Sequence, residues 1–177
     1  MSSMADDARL APIQGALGTR FEDTTLLWTA LTHRSYANEA KDGEVEHNER
    51  LEFLGDSVIS MYLSEQLWRR MPDWTEGEMS QARATLVNEA ALADLARGLG
   101  LGDALRLGKG ERKTGGRDKD SILCDAMEAV IGALLIDAGV GPCLETLAAL
   151  FEERLRTLER TLPSCVERTC SPRARSR

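Results

Sequence analysis

Three features of this 177-residue sequence predict an all-α fold. His47 to Ile59, HNERLEFLGDSVI, repeats apolar residues at helical spacing, and Ser121 to Asp137, SILCDAMEAVIGALLID, is a nearly continuous apolar run of helical length. No segment shows the period-two alternation of a half-buried strand. A hydrophobic fraction of 42% with ordinary charge content suits one soluble, globular domain.

Taken in order, residues 1–12 are expected to be a flexible leader, 13–162 the folded domain and 163–177 a disordered tail carrying Arg168, Arg173, Arg175 and Arg177. A first helix is expected at Ile13–Leu17. A second, capped by Asp23 or Thr24, should run to Ser35 with Leu26, Leu27, Ala30 and Leu31 on its apolar side. The polar stretch Ala37 to Glu46 reads as a loop. The helix that begins in HNERLEFLGDSVI should end near Met71, because Pro72 follows, with Leu51, Leu54, Val58 and Met61 as its core face. Ser80 to Gly98 reads as one helix, and the glycines at 100, 102, 108, 110, 115 and 116 break the chain into turns. Asp118 or Asp120 is the expected N-cap of the apolar helix. A last helix spans Pro142–Leu162, with Leu144, Leu147, Phe151, Leu155 and Leu158 on one side.

The carboxylates inside these helices carry the chemistry. At ~100° per residue, Glu49, Glu52 and Asp56 share one stripe of the first long helix. Three like charges on a half-buried helix lose hydration and repel one another, so a positive group is expected beside them. The alternative is a solvated acidic face. Gly55 weighs against that alternative, because a glycine inside a helix costs ~1 kcal/mol relative to alanine and points to a close approach by another element or a ligand. Asp125 and Glu128, three apart, interrupt the apolar run. They are expected to face Glu52 and Asp56 across a helix pair and to hold divalent cations jointly. Neither His33 nor His47 stands in a Glu-x-x-His pattern with these acids. All-oxygen ligands favour Mg²⁺ or Mn²⁺ over zinc or iron, and such an ion suits phosphodiester hydrolysis by a nuclease or phosphatase.

Composition bounds the rest. No apolar run reaches the ~18 residues of a membrane span, and MSSMADDAR lacks a signal-peptide core, so the cytoplasm is the default. The cysteines at 124, 143, 165 and 170 form no CxxC pair, and Cys124 reads as a small hydrophobe in its helix. The net charge of −7 argues against a nucleic-acid partner, except that cations would offset the acidic cluster. Lys109 to Lys119 also concentrates five basic side chains against two acidic ones, although a solvated loop would read the same way.

HNERLEFLGDSV resembles the signature of the ribonuclease III family of double-strand-specific endoribonucleases. LTHRSYANE (Leu31 to Glu39), EGEMSQARATLVNEAALADLA (Glu76 to Ala96), LRLGKGE (Leu105 to Glu111) and DSILCDAMEAVIGALLIDAG (Asp120 to Gly139) follow in that family's order. The resemblance covers Leu17 to Leu158 and implies the all-α helical fold of the ribonuclease III endonuclease domain over 13–162. It implies metal ligands at Glu52, Asp125 and Glu128, active-site acids at Asp56 and Glu128, and secondary acids at Glu49 and Glu76. It further implies Mg²⁺, with Mn²⁺ as a substitute, and attack of water that leaves 5′-phosphate and 3′-hydroxyl ends. The implied substrate is double-stranded RNA, including ribosomal precursors, read mostly by shape. A homodimer is implied, with Phe53 as the aromatic that enters a partner's socket. Bacterial relatives usually continue into an RNA-binding domain; the fourteen residues after Pro163 are too few for one, so RNA affinity is the expected weak point. Two other readings stand beside this one. One is a non-catalytic dimeric RNA-binding relative, against which retention of all the acids counts. The other is a helical nucleotide phosphohydrolase, against which the absence of a His-Asp dipeptide counts.

Overall fold

The computed structural model describes residues 4–40 and 45–161. They form ten helices: α1 Met4–Leu17, α2 Thr24–Ala30, α3 Arg34–Glu39, α4 Glu49–Arg70, α5 Glu76–Leu86, α6 Glu89–Gly98, α7 Leu101–Ala104, α8 Lys109–Lys113, α9 Asp120–Ala138 and α10 Val140–Thr161. Among the described residues there is no strand, only an isolated bridge between Thr32 and Arg106. No described helix is long and apolar enough to cross a membrane.

The apolar run becomes the central helix. Ten residues of α9, from Ile122 to Leu134, are buried, enclosed chiefly by α4, α6, α2 and α10. Its closest neighbour is α4, and two glycines set the approach. A Cβ on Gly55 would lie 1.8 Å from the Glu128 carbonyl oxygen, and one on Gly132 would lie 2.2 Å from that of Leu51. Only glycine lets the two backbones cross this tightly.

Several sequence expectations need correction. The leader expected at 1–12 is helical from Met4, with Pro12 inside α1. Leu10, Ile13 and Leu17 form a buried i, i+3, i+7 stripe whose packing outweighs the proline's helix-breaking tendency. The helix expected to reach Ser35 breaks after Ala30. There the Leu31 carbonyl accepts from Arg106 N–H (2.8 Å), His33 N–H donates to the Arg106 carbonyl (3.0 Å), and the Thr32 carbonyl accepts from Asn48 N–H (2.9 Å). Those peptide groups are satisfied across the fold instead of along a helix. Ser80 to Gly98 is two helices, split where Asn88 caps α6 by accepting from Ala91 N–H (2.8 Å). Neither Asp118 nor Asp120 caps α9. Lys119 holds that position without a side-chain cap, while Asp120 pairs with Arg97 of α6. The core face of α4 is also rotated: Gly55, Val58, Ile59, Tyr62, Leu63 and Leu67 are buried, Leu51 and Leu54 are half-buried, and Met61 is exposed. The loop expected from Ala37 starts later, after α3; residues 41–44 and the arginine tail lie outside the described residues.

Other expectations match the structure. Asp23 caps α2, accepting from Thr25 N–H at 2.9 Å, and α4 ends at Arg70 with Met71 as its C-cap. The last helix, α10, buries Leu147, Phe151 and Leu155. Arg70 ties α4 to α10 through Glu152 (2.6 Å) and Glu159 (3.3 Å). Asp137, near the end of α9, accepts from the backbone N–H groups of Glu22 (2.9 Å) and Asp23 (2.8 Å), which fixes the turn before α2. Asp137→Ala removes both acceptors and is expected to cost about 1 kcal/mol. Thermal unfolding should show a melting temperature roughly 2–4 °C lower; an unchanged value would mean that solvent replaces both bonds at no cost.

Candidate active site

The α4/α9 crossing assembles the acids. Glu49, Glu52 and Asp56 lie on the first three turns of α4, while Asp125 and Glu128 lie on the second and third turns of α9. Because Gly55 rests against the Glu128 peptide group, the two rows meet at the crossing itself. The carboxylates of Glu52, Asp125 and Glu128 are each half-buried, whereas Asp56 is exposed.

Electrostatics records that juxtaposition. Burial first, then the charges of Asp56, Glu52 and Asp125, push the Glu128 carboxyl up to about 8. Burial also raises Glu52, with Asp125 and Glu49 adding to the shift and Arg34 opposing it. Asp125 is raised by burial and by Glu89, and held back by His33 and Arg34. These mutually repelling acids form a set that a divalent cation would stabilise.

A cavity of about 660 Å³ opens between α3, the start of α4 and the start of α9, with Asn48, Glu49, Glu52 and Asp125 on its wall. Asn48 is 1% exposed and its Nδ2 has no hydrogen-bond partner. Although it precedes α4, Asn48 makes no side-chain cap, so its amide is left over from the helix. A buried donor without a partner is costly, and this one lies beside the acids, where a ligand or its hydration shell can accept from it. His33 lines the same cavity; its Nδ1 caps α3 by accepting from Ser35 N–H (3.2 Å), which leaves the proton of the neutral ring on Nε2. Burial lowers the His33 pKa and favours that neutral form.

The donor set fits a cation. Cys124 Sγ and carboxylate oxygens of Asp125 and Glu128 all lie within 4.8 Å of one another. Glu52 stands outside this close group but shares the cavity with Asp125. Glu76 takes the first position of α5, where it accepts from Ser80 Oγ (2.7 Å). Glu49 is held by Arg34 (3.4 Å) and lies 3.8 Å from His47. In the basic segment expected as a loop, Lys109–Lys113 is helical, Lys119 is paired with Glu111 (2.8 Å), and Arg117 donates to the Asp103 carbonyl (2.6 Å).

Sequence reasoning missed Asn48, Arg34 and Glu89. Arg34 and Glu89 reach the acids through the tertiary fold, and no spacing in the chain announces them; Asn48 stands at the N-cap of α4, four residues before Glu52. Cys124 had a signal: it sits four residues before Glu128, hence on one helix face with it.

A family model described as Ribonuclease-III-like matches residues 23–154. Ribonuclease 3 of Oleidesulfovibrio alaskensis is 49% identical over 142 residues, which cover 80% of this chain and 62% of that protein. Ribonuclease 3 of Streptomyces coelicolor is 51% identical over 140 residues, covering 79% of this chain and 50% of that protein. The chain thus spans between half and three-fifths of the length of these relatives. The solved nuclease domain of ribonuclease III from Campylobacter jejuni, described for structural flexibility in a region involved in dimer formation, has a TM-score of 0.75 at 39% identity. It covers 81% of this chain and 96% of that domain.

Proposed function

The chain belongs to the ribonuclease III family, and from that premise we propose that it is an endoribonuclease hydrolysing phosphodiester bonds of double-stranded RNA. The observation that carries this reading is the crossing of α4 and α9, which lays Glu52 and Asp56 beside Asp125 and Glu128. Glu52, Asp125 and Glu128 would hold Mg²⁺, for which Mn²⁺ could substitute. When bound, the ion supplies positive charge at the reacting phosphate and acidifies water. Glu128 must surrender its proton for the site to load, and the raised pKa makes that the sensitive step. Asp56, exposed and close enough to Glu128 to raise its pKa, orients the attacking water, and the products carry 5′-phosphate and 3′-hydroxyl ends. A-form RNA would be met through its shape and phosphates. Structured RNAs, ribosomal precursors among them, are the proposed substrates, and the cytoplasm is the proposed location.

The active unit is a homodimer. Phe53, Met61 and Trp68 stand out from α4 at 78%, 55% and 69% exposure, on the side away from α9, which is an apolar stripe a partner would cover. Beside it opens a cavity of about 740 Å³ with Leu51, Leu54 and Ile136 on its wall, a socket for the partner's Phe53. Phe53→Ala is expected to lower the dimer fraction at a given concentration, as read by sedimentation, with helix content retained. An undiminished dimer would remove Phe53 from the interface.

The direct test is cleavage of a long RNA duplex by the purified chain at low salt with Mg²⁺, beside a chelator control and Glu128→Ala. Low salt preserves phosphate contacts that few basic residues supply. Cutting that stops in both controls supports the reading. A folded dimer that leaves the duplex intact would instead favour a form unable to hold substrate alone or a non-catalytic relative.

A further inference from the structure

Cys124 stands beside the all-oxygen donor set without belonging to it. It is partly buried, at the edge of the core, and its thiol makes no hydrogen bond; Cys143, by contrast, is fully buried with its Sγ 3.8 Å from the Ile131 carbonyl. Being one turn before Glu128 and next to Asp125, Cys124 places sulfur and two carboxylates within 4.8 Å of one another. Asp125 also lines the cavity on whose wall the buried Asn48 lies with its Nδ2 unpartnered, a second sign that this corner is built around a ligand.

Two donor sets therefore overlap. One is all oxygen, from Glu52, Asp125 and Glu128, and suits Mg²⁺. The other exchanges Glu52 for Cys124, and a thiolate selects soft or borderline cations that Mg²⁺ does not resemble. In a tetrahedral zinc site, sulfur and oxygen donors lie about 3.6 Å apart, and here the three donors already lie within 4.8 Å of one another. We propose that Cys124, with Asp125 and Glu128, forms a binding site for thiophilic divalent cations of the Zn²⁺ and Cd²⁺ class that excludes Mg²⁺ by taking two of its ligands. On binding, the S–H bond breaks, a metal–sulfur bond forms and the proton passes to solvent, with no change of oxidation state. The inference rests on the reading of Asp125 and Glu128 as metal ligands.

Cd²⁺ is the probe, because its bond to a thiolate gives a charge-transfer absorption that needs no RNA. The full chain is titrated in a Cys165→Ser, Cys170→Ser background, so that those two thiols do not contribute. The expected result is a band that saturates at one Cd²⁺ per chain, moves to higher Cd²⁺ as Mg²⁺ is raised, and is lost in Cys124→Ser. A band undiminished in Cys124→Ser, no band at saturating Cd²⁺, or indifference to Mg²⁺ would overturn the proposal. Should Cys124→Ser lose its native circular dichroism, Glu128→Gln decides: weaker Cd²⁺ binding upholds the shared site, and equal binding refutes it. Mg²⁺-dependent cleavage by the unsubstituted chain is scored separately. Cleavage without the band would sink only this inference, and the band without cleavage would sink only the nuclease reading.

Discussion

Gly55→Ala should lower stability by about 3 kcal/mol or more, the upper range for overpacking a core. The added Cβ would fall 1.8 Å from the carbonyl oxygen of Glu128 and 2.6 Å from its carbonyl carbon. Both are backbone atoms of a buried helix, so no side chain can swing away, and only parting α4 from α9 relieves the clash. Thermal unfolding is expected to show a melting temperature lower by roughly 6–12 °C. Parting the helices also moves Asp125 and Glu128 away from Glu52 and Asp56, so Mg²⁺ affinity should fall at temperatures where the variant is still folded. Gly132→Ala meets the same crossing from the other side, 2.2 Å from the Leu51 carbonyl. The two substitutions should therefore be less than additive, since separation caused by one makes room for the other. A Gly55→Ala chain that melts with the wild type would show that the close crossing does not exist in solution.

That crossing also explains which parts of the fold were legible in the sequence. Gly55 announced a close approach because glycine is out of place inside a helix, and Asp125 and Glu128 stood out because charge is out of place in an apolar run. The core face of α4 was not legible in the same way. The helix carries two apolar stripes, a buried one through Val58, Ile59, Tyr62 and Leu63 and an exposed one through Phe53, Met61 and Trp68. Periodicity finds both and cannot say which faces inward. The start of α1 was hidden by Pro12, whose local preference yields to the burial of Leu10 and Ile13. At the site, the acids could be read from their own helices. The groups that shift their charges, His33, Arg34 and Glu89, come from separate elements and are joined to them only by tertiary packing.

Glu128→Gln should separate chemistry from folding. The amide keeps the side chain's size while removing the charge that binds a cation, so Mg²⁺-supported cleavage is expected to fall by more than about 10³-fold, as when a group acting in the transition state is lost. Stability should move the other way. Burial and three neighbouring carboxylates raise Glu128 from an ordinary value of 4.5 to about 8. Between those values the folded chain holds a proton that the unfolded chain has released, so metal-free stability must fall as pH rises through that window. Glu52 and Asp125 are raised as well and contribute in the same sense, which makes the comparison with the variant the informative one. The metal-free wild type is expected to lose melting temperature from pH 5 to pH 8 more steeply than Glu128→Gln, and Mg²⁺ at pH 8 should restore it only in the wild type. Mg²⁺ affinity, read by calorimetry, should rise up to about tenfold per pH unit below 8, because one proton must leave Glu128 for each ion bound. Parallel melting curves for wild type and variant across this window would show that Glu128 titrates normally, and the charge repulsion inferred for the site would then be wrong.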